Sequence, residues 1–119
     1  MKDWVFFGTD EFAAAALEEL ARQKIIPALI VTAPDQNRGR GLNLLPPPVK
    51  IWAEKNWINV IQPRDLNLET ERLKTKNWPV FIVASYGKIL PPEILAIPQH
   101  GVLNIHRSLL PKYRGPSRI

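Results

Sequence analysis

The sequence predicts an α/β chain: an open, mostly parallel sheet with helices on both faces. Three observations predict it. Short apolar runs recur at 4–7, 25–32, 60–61, 80–84 and 102–105. They are continuous rather than alternating, as strands covered on both faces are. Between them lie segments with apolar residues at helical spacing, and strand–helix alternation points to parallel pairing through crossovers.

Taken in order, Trp4-Val5-Phe6-Phe7 is a first buried strand, closed by Gly8. Asp10, or Thr9 before it, can cap a helix over 11–23, where Phe12, Ala16, Leu17 and Leu20 form one core face. Residues 25–32 make a second strand. Residues 33–45 show no periodicity and read as a long irregular loop. Pro48 starts a second helix through Val49, Ile51, Trp52 and Ala53. A short strand at 60–61, a helix at 66–74, a fourth strand at 80–84 and a fifth at 102–105 complete the chain. Ligands of such sheets bind beyond the carboxyl ends of the strands. Gly8-Thr9-Asp10, Ser85-Tyr86-Gly87 and the segment from Asn104 should therefore gather in one place.

The 119 residues suffice for one domain, with no internal repeat or boundary. A hydrophobic content of 45% argues against disorder. The lack of cysteine excludes a disulfide framework and a thiolate zinc site. With His100 and His106 as the two histidines, a metal cage is not expected. No signal peptide or apolar membrane span is visible, so a soluble cytoplasmic protein is expected. The net charge of +5 fits a phosphate-rich partner, or merely a solvated basic surface. The prolines punctuate loops and element starts.

Four segments bear on chemistry. Phe7-Gly8-Thr9-Asp10-Glu11-Phe12 is a strand–turn–helix start without G-x-G-x-x-G, which argues against a dinucleotide. The loop Ala33-Pro34-Asp35-Gln36-Asn37-Arg38-Gly39-Arg40-Gly41 sets two arginines among glycines. It reads equally as a phosphate-binding loop or a solvated one. Tyr86-Gly87-Lys88-Ile89-Leu90-Pro91 can wall a flat heteroaromatic ligand, or simply pack. Asn104 and His106 stand two apart at a strand end and so share a face. An amide for an oxyanion and an imidazole for a proton are what acyl or formyl transfer needs. His100, beside Gly101 in a turn, reads as surface.

The run Asn104-Ile105-His106-Arg107-Ser108-Leu109-Leu110-Pro111, followed by Lys112-Tyr113-Arg114-Gly115, resembles the signature of the formyltransferases that use 10-formyltetrahydrofolate. The opening Phe-Gly-Thr turn, the Pro34-Asp35 loop and the Tyr86-Gly87-Lys88-Ile89-Leu90 loop match in order and spacing, so the resemblance covers the whole chain. Segment 34–50 most resembles the members that formylate initiator methionyl-tRNA. The resemblance implies a Rossmann-like fold, with no metal and no membrane partner. It implies that Asn104 and His106 are catalytic. It implies that Tyr86, Gly87, Ile89, Leu90, Ser108, Leu109, Leu110 and Pro111 bind the folate, and that Arg38 and Arg40 contact the tRNA.

Three departures accompany it. The family has proline where Arg118 stands, and lysines where Leu42 and Asn43 stand. Its catalytic aspartate, remaining strands and tRNA-binding barrel lie beyond this signature. The chain therefore reads as a truncated N-terminal part, inactive alone. Two other readings stay open: a formyltransferase acting on a sugar-nucleotide amine or glycinamide ribonucleotide, and a non-catalytic folate- or RNA-binding remnant.

Overall fold

The computed structural model describes residues 3–38 and 43–106. Arg40 and Ser108, Leu109, Leu110 and Pro111 lie outside the described residues, as does the side chain of Arg38.

Strand β1 (Val5–Gly8) lies at the centre of a five-stranded sheet. Around it, in the order β5-β2-β1-β6-β7, run β2 (Leu29–Val31), β5 (Asn59–Ile61), β6 (Phe81–Ala84) and β7 (Val102–Asn104). All four pairings are parallel, which gives the expected Rossmann-like sheet. One cross-sheet row near the carboxyl end runs Ile61, Val31, Phe7, Val83, Asn104.

Alternate residues of the strands feed two separate cores. Trp4, Phe6, Ile30 and Ile82 face helices α1 (Glu11–Arg22) and α2 (Pro48–Lys55). Val5, Phe7, Val31 and Phe81 face the other layer, where Leu73 of α3 (Thr70–Lys74) and Ile94 of α4 (Pro92–Leu95) are buried. Both faces of β1, β2 and β6 are covered, which explains why these three inner strands carry no polar side chain.

Helix α1 begins where Asp10 accepts the Ala13 N–H at 3.1 Å. Its buried face includes Ala13 and Ala16, small enough to let the helix approach the sheet closely. Gly8 makes the same approach possible from below. A Cβ there would meet the Ala84 carbonyl oxygen at 2.6 Å and the Ala13 Cβ at 2.7 Å. Helix α2 opens on Pro48 in its first turn and is tied to α1 by the Trp52 indole N–H, which donates to Glu18 at 2.8 Å.

Four expectations need correction. The second strand covers only Leu29–Val31, not 25–32. The N–H of Ile25 instead turns back to the Leu20 carbonyl at 2.9 Å, closing α1. Residues 33–45 are not wholly irregular: β3 (Gln36–Arg38) and β4 (Asn43–Leu45) pair antiparallel as a separate two-stranded ribbon. The helix at 66–74 is a 3-10 turn, Leu66–Glu69, followed by the short α3. Helix α4 was not expected, because Pro91-Pro92 reads as a loop; Pro92 in fact opens its first turn.

Candidate active site

The three expected stretches do converge at the carboxyl ends of β1, β6 and β7. The Thr9 N–H donates to the Ser85 carbonyl at 3.0 Å, and the Thr9 hydroxyl to the Tyr86 carbonyl at 2.9 Å. The Ser85 hydroxyl donates to Asp10 Oδ2 at 2.5 Å. The Ile105 N–H donates to the Val83 carbonyl at 2.8 Å, holding the chain beyond β7 against β6.

Asn104 is the last residue of β7 and pairs in register with Val83. Paired residues of parallel strands share a face, so Asn104 lies on the side of the sheet that carries α3 and α4. Ile105 alternates to the opposite side and packs on the α1–α2 core. His106 follows, just past the strand. Asn104 and His106 are both exposed, so neither serves the core and both can meet a ligand.

The segment after β6 divides its labour. Tyr86 and Leu90 are buried in the α3–α4 core, with the Tyr86 ring edge-on to Phe7 at 5.7 Å between centroids. Burial pushes the Tyr86 phenol up to about 12, with the Glu69 charge adding to it. The phenol therefore stays neutral and is no general base near pH 7. Its hydroxyl has no hydrogen-bond partner among the described residues. Gly87, Lys88 and Ile89 between these two anchors are exposed, Ile89 by 93%. Ser85 and Gly87 both lie in the left-handed region, at φ 53° and 90°. Lys88 Nζ reaches the Arg64 carbonyl at 3.0 Å and ties the loop down on its far side.

A second polar group braces the entry to the β3–β4 ribbon. Gln62 Nε2 donates to Asp35 at 2.6 Å and to the Ala33 carbonyl at 3.1 Å. Lys50 Nζ approaches both Asp35 oxygens at 3.4 Å. The Gln62 hydrogen bond holds the Asp35 carboxyl below its usual value; partial burial opposes this and Lys50 adds to it. The Val49 N–H donates to the Thr9 carbonyl at 3.3 Å, joining the start of α2 to the turn between β1 and α1.

The sequence reading placed Asp10 and Ser85 in stretches that gather at the strand ends but did not foresee their hydrogen bond, nor the contacts of Gln62 and Lys50 with Asp35. The partners are far apart in the chain, and the one signal at hand was their position at strand ends. Among the described residues no group of His, Asp or Glu is arranged to hold a metal ion. Nor, among the described residues, is any helix long and apolar enough to cross a membrane.

Comparison with known proteins bears on the family and the fold of this chain. The family model described as formyl transferase matches residues 1–119. The methionyl-tRNA formyltransferase of Thermotoga neapolitana is 50% identical over 117 residues, covering 97% of this chain and 37% of the relative. That of Neisseria meningitidis is 46% identical over 118 residues, covering 97% and 38%. The chain thus spans well under half the length of these curated relatives. A solved glycinamide ribonucleotide transformylase 1 from Geobacillus kaustophilus superposes with a TM-score of 0.55 at 22% identity. That match covers 98% of this chain and 63% of the other, and it bears on the fold alone.

Proposed function

The chain belongs to the formyl transferase family, and from that premise we propose that it is the N-terminal catalytic part of an enzyme of translation initiation. The enzyme moves a formyl group from 10-formyltetrahydrofolate to the amino group of initiator methionyl-tRNA, in the cytoplasm. The observation that carries this reading is the exposed pair Asn104 and His106 at the carboxyl end of β7, in the row that Phe7 and Val83 share.

The chemistry follows from the pair. The amine lone pair of methionyl-tRNA attacks the formyl carbon, and the carbonyl oxygen becomes an oxyanion. The Asn104 amide donates to that oxyanion. His106 takes a proton from the attacking nitrogen and returns it to folate N10 as the C–N10 bond breaks. Gly87 and Ile89 lie along the flat pteridine, held from beneath by the buried Tyr86 and Leu90. Ser108, Leu109, Leu110 and Pro111 make the remaining folate contacts. Arg38 and Arg40 meet phosphates of the tRNA acceptor arm, in keeping with the net charge of +5.

The test is formyl transfer by the intact protein and its variants. Asn104→Ala should lower turnover about 100- to 1000-fold. His106→Ala should lower it roughly 100- to 10,000-fold. Both side chains are exposed, so Tm should hold. Normal turnover by His106→Ala would exclude the histidine from proton transfer.

A further inference from the structure

The turn between β1 and α1 and the loop after β6 meet through side chains as well as backbone. Ser85 holds φ 53°, a left-handed conformation that a non-glycine residue keeps only when its surroundings fix it. Three hydrogen bonds fix it here, two donated by Thr9 and one accepted by Asp10. Thr9 takes the Ser85 and Tyr86 carbonyls, and Asp10 accepts from the Ser85 hydroxyl at 2.5 Å. The other carboxyl oxygen of Asp10 accepts the Ala13 N–H and caps α1. A helix cap alone needs no such length: serine caps as well as aspartate. A serine at position 10 is too short to do both tasks. Aspartate spans both, and so connects the rigid start of α1 to the loop whose exposed residues are Gly87, Lys88 and Ile89.

We propose that Asp10 and Ser85 form a clamp that fixes the geometry of the 85–90 loop and thereby sets the affinity of the crevice for the reduced folate. The two are positioning residues, and the proposal rests on the folate reading above. Without the clamp the loop must be ordered at the moment of binding, and that ordering is subtracted from affinity.

The test titrates the intact protein with 5-formyltetrahydrofolate, a stable reduced folate, and measures amide hydrogen exchange in the loop. Ser85→Ala and Asp10→Ser should each weaken binding about five- to tenfold. The double variant should be no weaker than either single one, since both break one bond. Asp10→Asn keeps the cap acceptor and can donate to the Ser85 hydroxyl, so it should recover most of the affinity. Exchange should quicken at 86–89 and not across the sheet, and Tm of Asp10→Ser should stay near the parent value. Asp10→Ser binding folate as the parent does would make Asp10 a cap and nothing more. Losses that multiply in the double variant would likewise overturn the clamp. Should Ser85→Ala fold poorly, Asp10→Ser against Asp10→Asn decides. A parent protein that binds no reduced folate would overturn the functional reading itself, and the clamp's role with it.

Discussion

Tyr86 belongs to the loop proposed to hold the folate, yet its side chain is turned into the core. Its ring is 3% exposed and sits against Phe7, while its carbonyl is held by Thr9. The buried hydroxyl lacks a partner among the described residues. A buried, unsatisfied hydroxyl costs about 1–3 kcal/mol. Tyr86→Phe removes that cost and keeps the ring. The variant should therefore unfold at equal or higher denaturant concentration, by up to about 1 kcal/mol after small losses in packing. Folate affinity should not change. A clear loss of stability would show that the hydroxyl does have a partner in solution. The place of Asn104 at the end of β7, with His106 just past it, was legible in sequence because the end of an apolar run is a local signal. The Asp10–Ser85 bond spans 75 residues, and nothing local announces it. The same holds for Gln62 and Asp35, 27 residues apart.

At the level of elements, legibility followed burial. The continuous apolar runs of β1 and β6 could be read directly, because a strand covered on both faces has no polar positions. The run at 25–32 misled for the same reason. Its Ile25 closes the end of α1, Ile26 is exposed ahead of Pro27, and pairing begins only at Leu29. The β3–β4 ribbon escaped notice because Gln36, Asn37, Asn43, Leu44 and Leu45 are exposed and the segment carries no apolar pattern beyond Leu44 and Leu45. What holds the base of this ribbon is polar, and it titrates. The folded Asp35 carboxyl is held below the ordinary 3.8, by Gln62 first and Lys50 after partial burial is offset. Its stabilising contribution is therefore full above that value, and it is lost as pH falls through the folded value. Asp35→Asn should be less stable than the parent at neutral pH. The gap between their urea midpoints should close as pH drops below 3.8. A gap that persists unchanged into strong acid would mean that the carboxyl's charge contributes nothing to the brace.

At the scale of the molecule, the sheet separates two cores and couples them through adjacent residues of the same strands, β1 at its centre. Phe6 belongs to the α1–α2 core and Phe7 to the α3–α4 core, on adjacent residues of β1. Parallel pairing on both sides of β1 spreads any loosening to β2 and β6. The layered architecture was visible in the sequence, as a strand–helix rhythm. The coupling was not, since it depends on which helices cover which face. Tryptophans report on each layer separately: Trp52 lies in the first core and Trp78 in the second, whereas Trp57 is 94% exposed. Phe6→Ala should destabilise by about 3–5 kcal/mol, as large-to-small changes in a packed core do. The loss should not stay on its own side of the sheet. In variants that retain only Trp52 or only Trp78, the fluorescence midpoints in urea should coincide with each other and with far-UV circular dichroism, and Phe6→Ala should shift all three together. If Phe6→Ala moves the Trp52 transition and leaves that of Trp78 in place, the two layers melt independently. The crevice would then rest on two separable halves, because its Asp10 side belongs to α1 and its Tyr86 side to the other core. A single shared transition is the outcome expected of one sheet whose middle strand is buried at every position.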